Sequence, residues 1–101
     1  MKGGKHMELT YNDIYLNCEN CQLTNIFNKK LLYVTDNERK ILKLLLQHGV
    51  ITVNKIEELT GLNSNVIPVH ISNIRNKLKT LDIETKIIGM RKVGYRLEYN
   101  N

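Results

Sequence analysis

The chain has 101 residues, 42% hydrophobic and 25% charged, with 15 lysines and arginines against 10 aspartates and glutamates, a formal net charge of +5. That length holds one small domain rather than two, and the composition is globular rather than disordered. No apolar run approaches the roughly 18 residues of a membrane span and no export signal opens the chain, so a cytoplasmic location with no membrane contact is expected.

The surplus charge is unevenly placed. Residues 1–63 hold eight basic and seven acidic side chains, whereas residues 64–97 hold seven basic and only two acidic ones. A cationic last third fits a polyanion-binding surface, with an unevenly charged solvated face as the plainer alternative.

In chain order, Met1–His6 reads as a disordered linker or expression remnant outside the fold. From residue 7 to 34, Leu9 and Tyr11, Ile14 and Leu16, then Leu23 and Leu31–Val34 alternate with polar neighbours. Asn12-Asp13, Cys18–Cys21 and Asn28-Lys29 supply the intervening turns, so three or four short antiparallel strands form a platform.

Thr35-Asp36-Asn37-Glu38 is a capping box, and Ile41, Leu42, Leu44, Leu45 and Leu46 give a broad apolar face ended by Gly49. This places a first helix at about 36–48. Thr52 starts a second, with Val53, Ile56 and Leu59 at helical spacing and Gly61 as its stop. A third carries Ile67, Ile71, Ile74, Leu78 and Leu81, spaced 4, 3, 4 and 3. With Asn65 as N-cap, Pro68 falls at N3, where its missing amide hydrogen breaks no helical bond. The tail reads as two strands, Lys86–Met90 and Val93–Tyr99, joined near Arg91-Lys92.

Residues 53–81 therefore form a helix-turn-helix, an arrangement that lays its second helix in the DNA major groove. The helix face opposite the apolar stripe presents Val69, Ser72, Asn73 and Asn76, with Asn65 before it and Lys79 and Thr80 beyond, and it has no acidic residue. Asparagine can contact adenine through two hydrogen bonds, serine adapts to several bases, and an exposed valine can pack on a thymine methyl. Solvated asparagines are the bland alternative, but three on one helix face are a poor choice for stability alone. Asn65, Val69, Ser72, Asn73 and Asn76 are thus the expected base-reading residues. Arg75 and Lys77 flank the buried stripe, within expected reach of phosphates, as is Lys79. Arg91 and Lys92 at the hairpin tip can follow the backbone or enter a minor groove. Gly94 marks a close backbone approach or bulge, and Tyr95 is more a core residue than a contact, although its hydroxyl can reach a phosphate. The fold class is α+β: an antiparallel platform at 7–34, three helices at 35–81 and a wing at 86–99, a winged helix-turn-helix spanning 7–101.

The stretch Ile67–Leu78 with Met90-Arg91-Lys92-Val93-Gly94-Tyr95-Arg96-Leu97 resembles the OmpR/PhoB-type effector domain of bacterial two-component response regulators. That family shows a Val-Asp-Val-His-Ile-x-x-Leu-Arg-x-Lys-Leu helix, a Val-Arg-Gly-Val-Gly-Tyr-Arg-Leu wing, and a Leu-Thr-x-x-Glu lead into its first helix, here Val34–Glu38. The resemblance covers about residues 7–99. It implies that His70 is a phosphate contact, that Arg75 matches the helix arginine, and that Arg91 and Tyr95 match the wing pair. It also implies double-stranded DNA as partner, tandem direct repeats as the site, and two protomers head to tail, a homodimer on DNA. Where relatives often carry Arg, this chain has Asn73, so its base preference should differ. Relatives carry a longer loop between the second and third helices, with an aromatic residue that can touch RNA polymerase. Here Gly61–Asn65 is short, which weakens the case for polymerase contact. Lys92 replaces the family's wing Gly. The family's receiver domain is not in these residues, so the chain reads as a fragment or a stand-alone regulator.

Cys18-Glu19-Asn20-Cys21 is a C-x-x-C, but zinc needs two further ligands, and His6, His48 and His70 are scattered. Two thiols flanking a hairpin turn is the favoured reading. No nucleophile triad, carboxylate pair, phosphate loop or metal spacing appears, so neither catalysis, a cofactor nor a metal is expected. The reading is a sequence-specific DNA-binding domain in transcription regulation. Its rivals are a winged helix docking an acidic protein and a thiol-based redox sensor.

Overall fold

A computed structural model describes residues 7–99, and the reading of Met1–His6 lies outside them. The first four strands, β1 (Glu8–Tyr11), β2 (Ile14–Asn17), β3 (Gln22–Asn25) and β4 (Leu31–Tyr33), form an antiparallel meander in sequence order. Alternation decides its faces. Leu9, Ile14, Leu16, Leu23 and Leu32 turn inward, while Thr10, Tyr15, Thr24 and Leu31 form one cross-strand row on the outside.

Helix α1 (Asp36–His48) begins with the expected capping box: Thr35 Oγ1 accepts from the Glu38 amide, and Glu38 Oε1 accepts from the Thr35 amide. Its breadth of apolar residues has a cause in the packing, since α1 touches β1, α2 (Val53–Thr60), α3 (Ile67–Thr80) and the second sheet. Ile41, Leu42 and Leu45 are fully buried there. With Ile14, Leu16, Leu23, Ile56, Ile67, Ile71 and Ile74 they make one continuous core, each side chain stabilising the fold by about 1.5–3 kcal/mol relative to an exposed one.

Three local expectations are corrected. A strand, β5 (Val50–Thr52), lies between the first two helices and completes a three-stranded sheet in the order β5-β7-β6 with β6 (Lys86–Met90) and β7 (Gly94–Glu98). Three residues are too few to show a period, and the strand exists because Val50, Ile51 and Thr52 pair with Arg96, Tyr95 and Gly94. The N-cap of α3 is Val66, not Asn65, and Pro68 falls at N2. The Asn63 carboxamide takes the Asn65 amide at 2.8 Å, and the Glu57 carboxylate takes the Ser64 amide at 2.8 Å, so the turn ends one residue later. Proline still breaks no helical bond at N2. The last strand starts at Gly94 because Val93 belongs to the turn, its amide donating to Met90 O at 2.9 Å.

Candidate nucleic-acid interface

Helix α3 has two faces of opposite character. Ile67, Ile71, Ile74 and Leu78 are buried, and Val69, Ser72, Asn73, Asn76, Lys79 and Thr80 are exposed. Val69 is 58% exposed on the helix crown. The side chains of Ser72, Asn73 and Asn76 make no hydrogen bond within the described residues, so their donors and acceptors remain available. Asn65 is exposed in the turn before the helix, and His70 is half-buried at its edge. The helix contains no carboxylate.

Residues that the sequence offered only as turn residues, or not at all, hold this helix in place. Asn25, buried in the platform, donates through Nδ2 to Leu81 O at 2.9 Å and Asp82 O at 3.2 Å, while its Oδ1 accepts from the Phe27 amide at 2.8 Å. Asn28 Nδ2 adds a bond to Leu81 O at 3.1 Å. Asp13, also buried, accepts from the Glu84 amide at 2.6 Å and the Thr85 hydroxyl at 2.5 Å. The platform thereby grips the C-terminal end of α3 and the segment that leads into β6. These carbonyls would otherwise be orphans of the helix terminus.

Arg75 and Lys77, expected near phosphates, both have partners within the fold, Arg75 while remaining exposed and Lys77 half-buried. Arg75 donates through Nε and Nη2 to Ile87 O on β6. The Lys77 ammonium lies 2.5 Å from Glu38 Oε1 on α1. Burial pushes the Glu38 carboxyl up, but the hydrogen bonds from Lys77 and from Thr35 outweigh it and hold the group below its ordinary value. One carboxylate thus caps α1 and pins α3.

The wing turn closes with the Val93 amide on Met90 O, and its φ signs are those of a type II turn: Lys92 has φ +63°, and Arg91 before it does not have positive φ. Lys92 therefore occupies, strained, the place where the family pattern has glycine. Arg91, Lys92 and Val93 are exposed, and neither cation has an ion-pair partner among the described residues. Arg96, further along β7, is paired with Glu98 at 2.6 Å. Gly94 is a close approach, as expected, because a Cβ there would lie 2.1 Å from Ile51 O. Tyr95 is half-buried between its strand partners Ile51 and Gly89. Between α3 and β6 runs a groove of about 600 Å³, with Ser72, Arg75, Asn76 and Lys79 on one wall and Lys86, Ile87 and Ile88 on the other.

No group of three or more His, Cys, Asp or Glu residues is placed to hold a metal among the described residues, and none of their helices is long and apolar enough to cross a membrane. Cys18 and Cys21 are free thiols in the β2–β3 turn.

Fold and face together define a winged helix-turn-helix. The model of the family described as "Transcriptional regulatory protein, C terminal" matches residues 28–97, and the chain belongs to that family, the OmpR/PhoB-type effector domains. Among solved structures it is similar to the C-terminal domain of the nisin resistance regulator NsrR, a lantibiotic response regulator, with 26% identity and a TM-score of 0.81 over 93% of this chain and 100% of that one. It is also similar to the DNA-binding domain of the response regulator AdeR, solved in complex with an intercistronic region, with 25% identity and a TM-score of 0.75 over 90% and 99% of the two chains. The DNA-binding domain of Escherichia coli CadC shares the fold at 18% identity, with a TM-score of 0.77 over 94% and 95%. No curated protein matches.

Proposed function

We propose that the chain binds double-stranded DNA sequence-specifically as the effector domain of a transcription regulator, with α3 in the major groove and the wing on the adjacent backbone or minor groove. The observation that carries this is the acid-free crown of α3, where Val69, Ser72, Asn73 and Asn76 are exposed and unengaged beside a cationic wing tip. A face evolved only for solvation has no need of an exposed valine among three hydrogen-bonding side chains. Family membership and the DNA complex of the AdeR domain point the same way.

Within this reading Asn65, Val69, Ser72, Asn73 and Asn76 read base edges. His70, Lys79, Arg91, Lys92 and the Tyr95 hydroxyl serve phosphates. Arg75 and Lys77 hold the helix and wing at the spacing that lets the others reach. The site is a tandem direct repeat bound by two protomers head to tail, in the cytoplasm. The short Gly61–Asn65 connection disfavours polymerase recruitment through that turn. No reaction is assigned to the chain.

Selection of bound duplexes from a random pool tests the reading. An enriched motif repeated in tandem is the expected result. Failure to retard any duplex at low salt would instead favour a winged helix that docks an acidic protein.

A further inference from the structure

The turn joining β2 to β3 carries chemistry that DNA binding leaves unused. Cys18 and Cys21 are its first and last residues, both free thiols and both packed half-buried against the core. Asn17 folds the turn by accepting from the Glu19 and Asn20 amides at 2.9 and 3.2 Å, and Cys21 bends the chain back with φ +63°. Strand alternation puts both cysteines on the inner side of the platform, with Leu16 and Leu23. Met7 lies opposite Cys18, since Cys18 donates its amide to Met7 O at 2.9 Å and continues the Glu8–Asn17 register. Directly opposed residues of antiparallel strands bring their Cβ atoms to about 5 Å.

The thioether of this group lies against α1. Met7 Sδ is 3.6 Å from Gln47 Nε2, and Lys43 and Arg39 precede Gln47 at successive helical turns. Lys43 and Arg39 both act electrostatically on Cys18, and Arg39 acts on Cys21 as well. Two thiols, a thioether and a cationic helix edge are thus gathered at one end of the platform.

We propose that Cys18 and Cys21, with Met7 as third donor, form a binding site for a soft monovalent cation, copper(I). Thiolate and thioether sulfur select soft ions. Zinc demands four nitrogen, sulfur or oxygen ligands, and no third His, Cys, Asp or Glu is placed to join the pair among the described residues. Copper(I) is content with two or three sulfurs. On binding, the two thiol protons leave, two thiolate–copper bonds form and the neutral Met7 thioether adds a third, with no change of oxidation state, so the bis-thiolate centre carries one net negative charge. Arg39 and Lys43 offset that charge.

The test is titration of the whole chain with copper(I), anaerobically, in phosphine reductant and against the competing chelator bicinchoninate. One copper(I) per chain is expected, with a rise in melting temperature that zinc(II) at the same concentration does not produce. Cys18→Ser and Cys21→Ser should each weaken binding at least about a hundredfold and Met7→Leu about tenfold. X-ray absorption should count three sulfurs in the parent and two in Met7→Leu, a readout that does not depend on the serine variants folding well. Undiminished copper binding by the Cys18→Ser/Cys21→Ser double variant, or zinc(II) binding as tight as copper(I), would overturn the proposal, as would no copper retained against the chelator.

Discussion

The Arg75 guanidinium donates twice to a single carbonyl: Nε and Nη2 reach Ile87 O at 3.1 and 2.9 Å. Helix α3 and the first wing strand are thereby tied by a charged group, which fixes the spacing between the crown of α3 and the wing tip. Arg75→Ala is expected to weaken DNA binding while leaving the salt slope of log K nearly unchanged, because no phosphate contact is lost. Arg91→Ala should flatten that slope by roughly 0.9, the loss of one phosphate. Binding isotherms at four salt concentrations separate the two.

Glu38 gives a pH dependence with a definite sign. Its folded value lies below its ordinary 4.5, so its contribution to stability is complete above that value and is lost as the pH falls through the depressed one. Glu38→Gln should cost about 1–2 kcal/mol at pH 7, from a weakened cap and a lost charge-assisted bond. The difference should shrink as the pH falls toward 3. Urea unfolding of both proteins from pH 7 to pH 3 checks it.

Lys92 sits in a left-handed conformation that costs an ordinary residue about 1–2 kcal/mol. Lys92→Gly is therefore expected to raise stability by about 1 kcal/mol and to lower DNA affinity through the lost charge. Opposite signs in a melting curve and a binding isotherm are the signature. A gain or a loss in both would refute the trade.

Gly94 tolerates no side chain. A Cβ would meet Ile51 O at 2.1 Å and Thr52 Cα at 2.6 Å, both backbone. Gly94→Ala should destabilise the chain by at least about 2 kcal/mol, at the upper range of overpacked sites. Amide exchange should show the loss first in β5 and β7.

How far the sequence could be read depended on the range of each interaction. The apolar stripe of α3, the Thr35–Glu38 capping box and the tight approach at Gly94 were legible because each shows itself in local spacing or residue type. The strand at Val50–Thr52 was not, because it owes its existence to β7 more than forty residues later. Asn28 and Asp13 looked like turn residues, yet their partners lie 53 and 72 residues away. Arg75 and Lys77 show the same limit at the site itself. Their charge and helical position were evident, but the Ile87 carbonyl and the Glu38 carboxylate that engage them belong to other elements. The N-cap of α3 was misplaced by one residue because Asn63 and Glu57 take the Asn65 and Ser64 amides and carry the turn one residue further.

The central claim is that the crown of α3 reads bases while the wing tip holds phosphates. It is tested most directly by measuring the affinities of Asn73→Ala and Arg91→Ala for a selected duplex and for random duplex at one salt concentration. Asn73→Ala should lower the ratio of specific to random affinity by about 5- to 150-fold, the equivalent of about 1–3 kcal/mol for one base contact. Arg91→Ala should lower both affinities together and leave the ratio in place. Equal losses on the two duplexes for both variants would contradict the account.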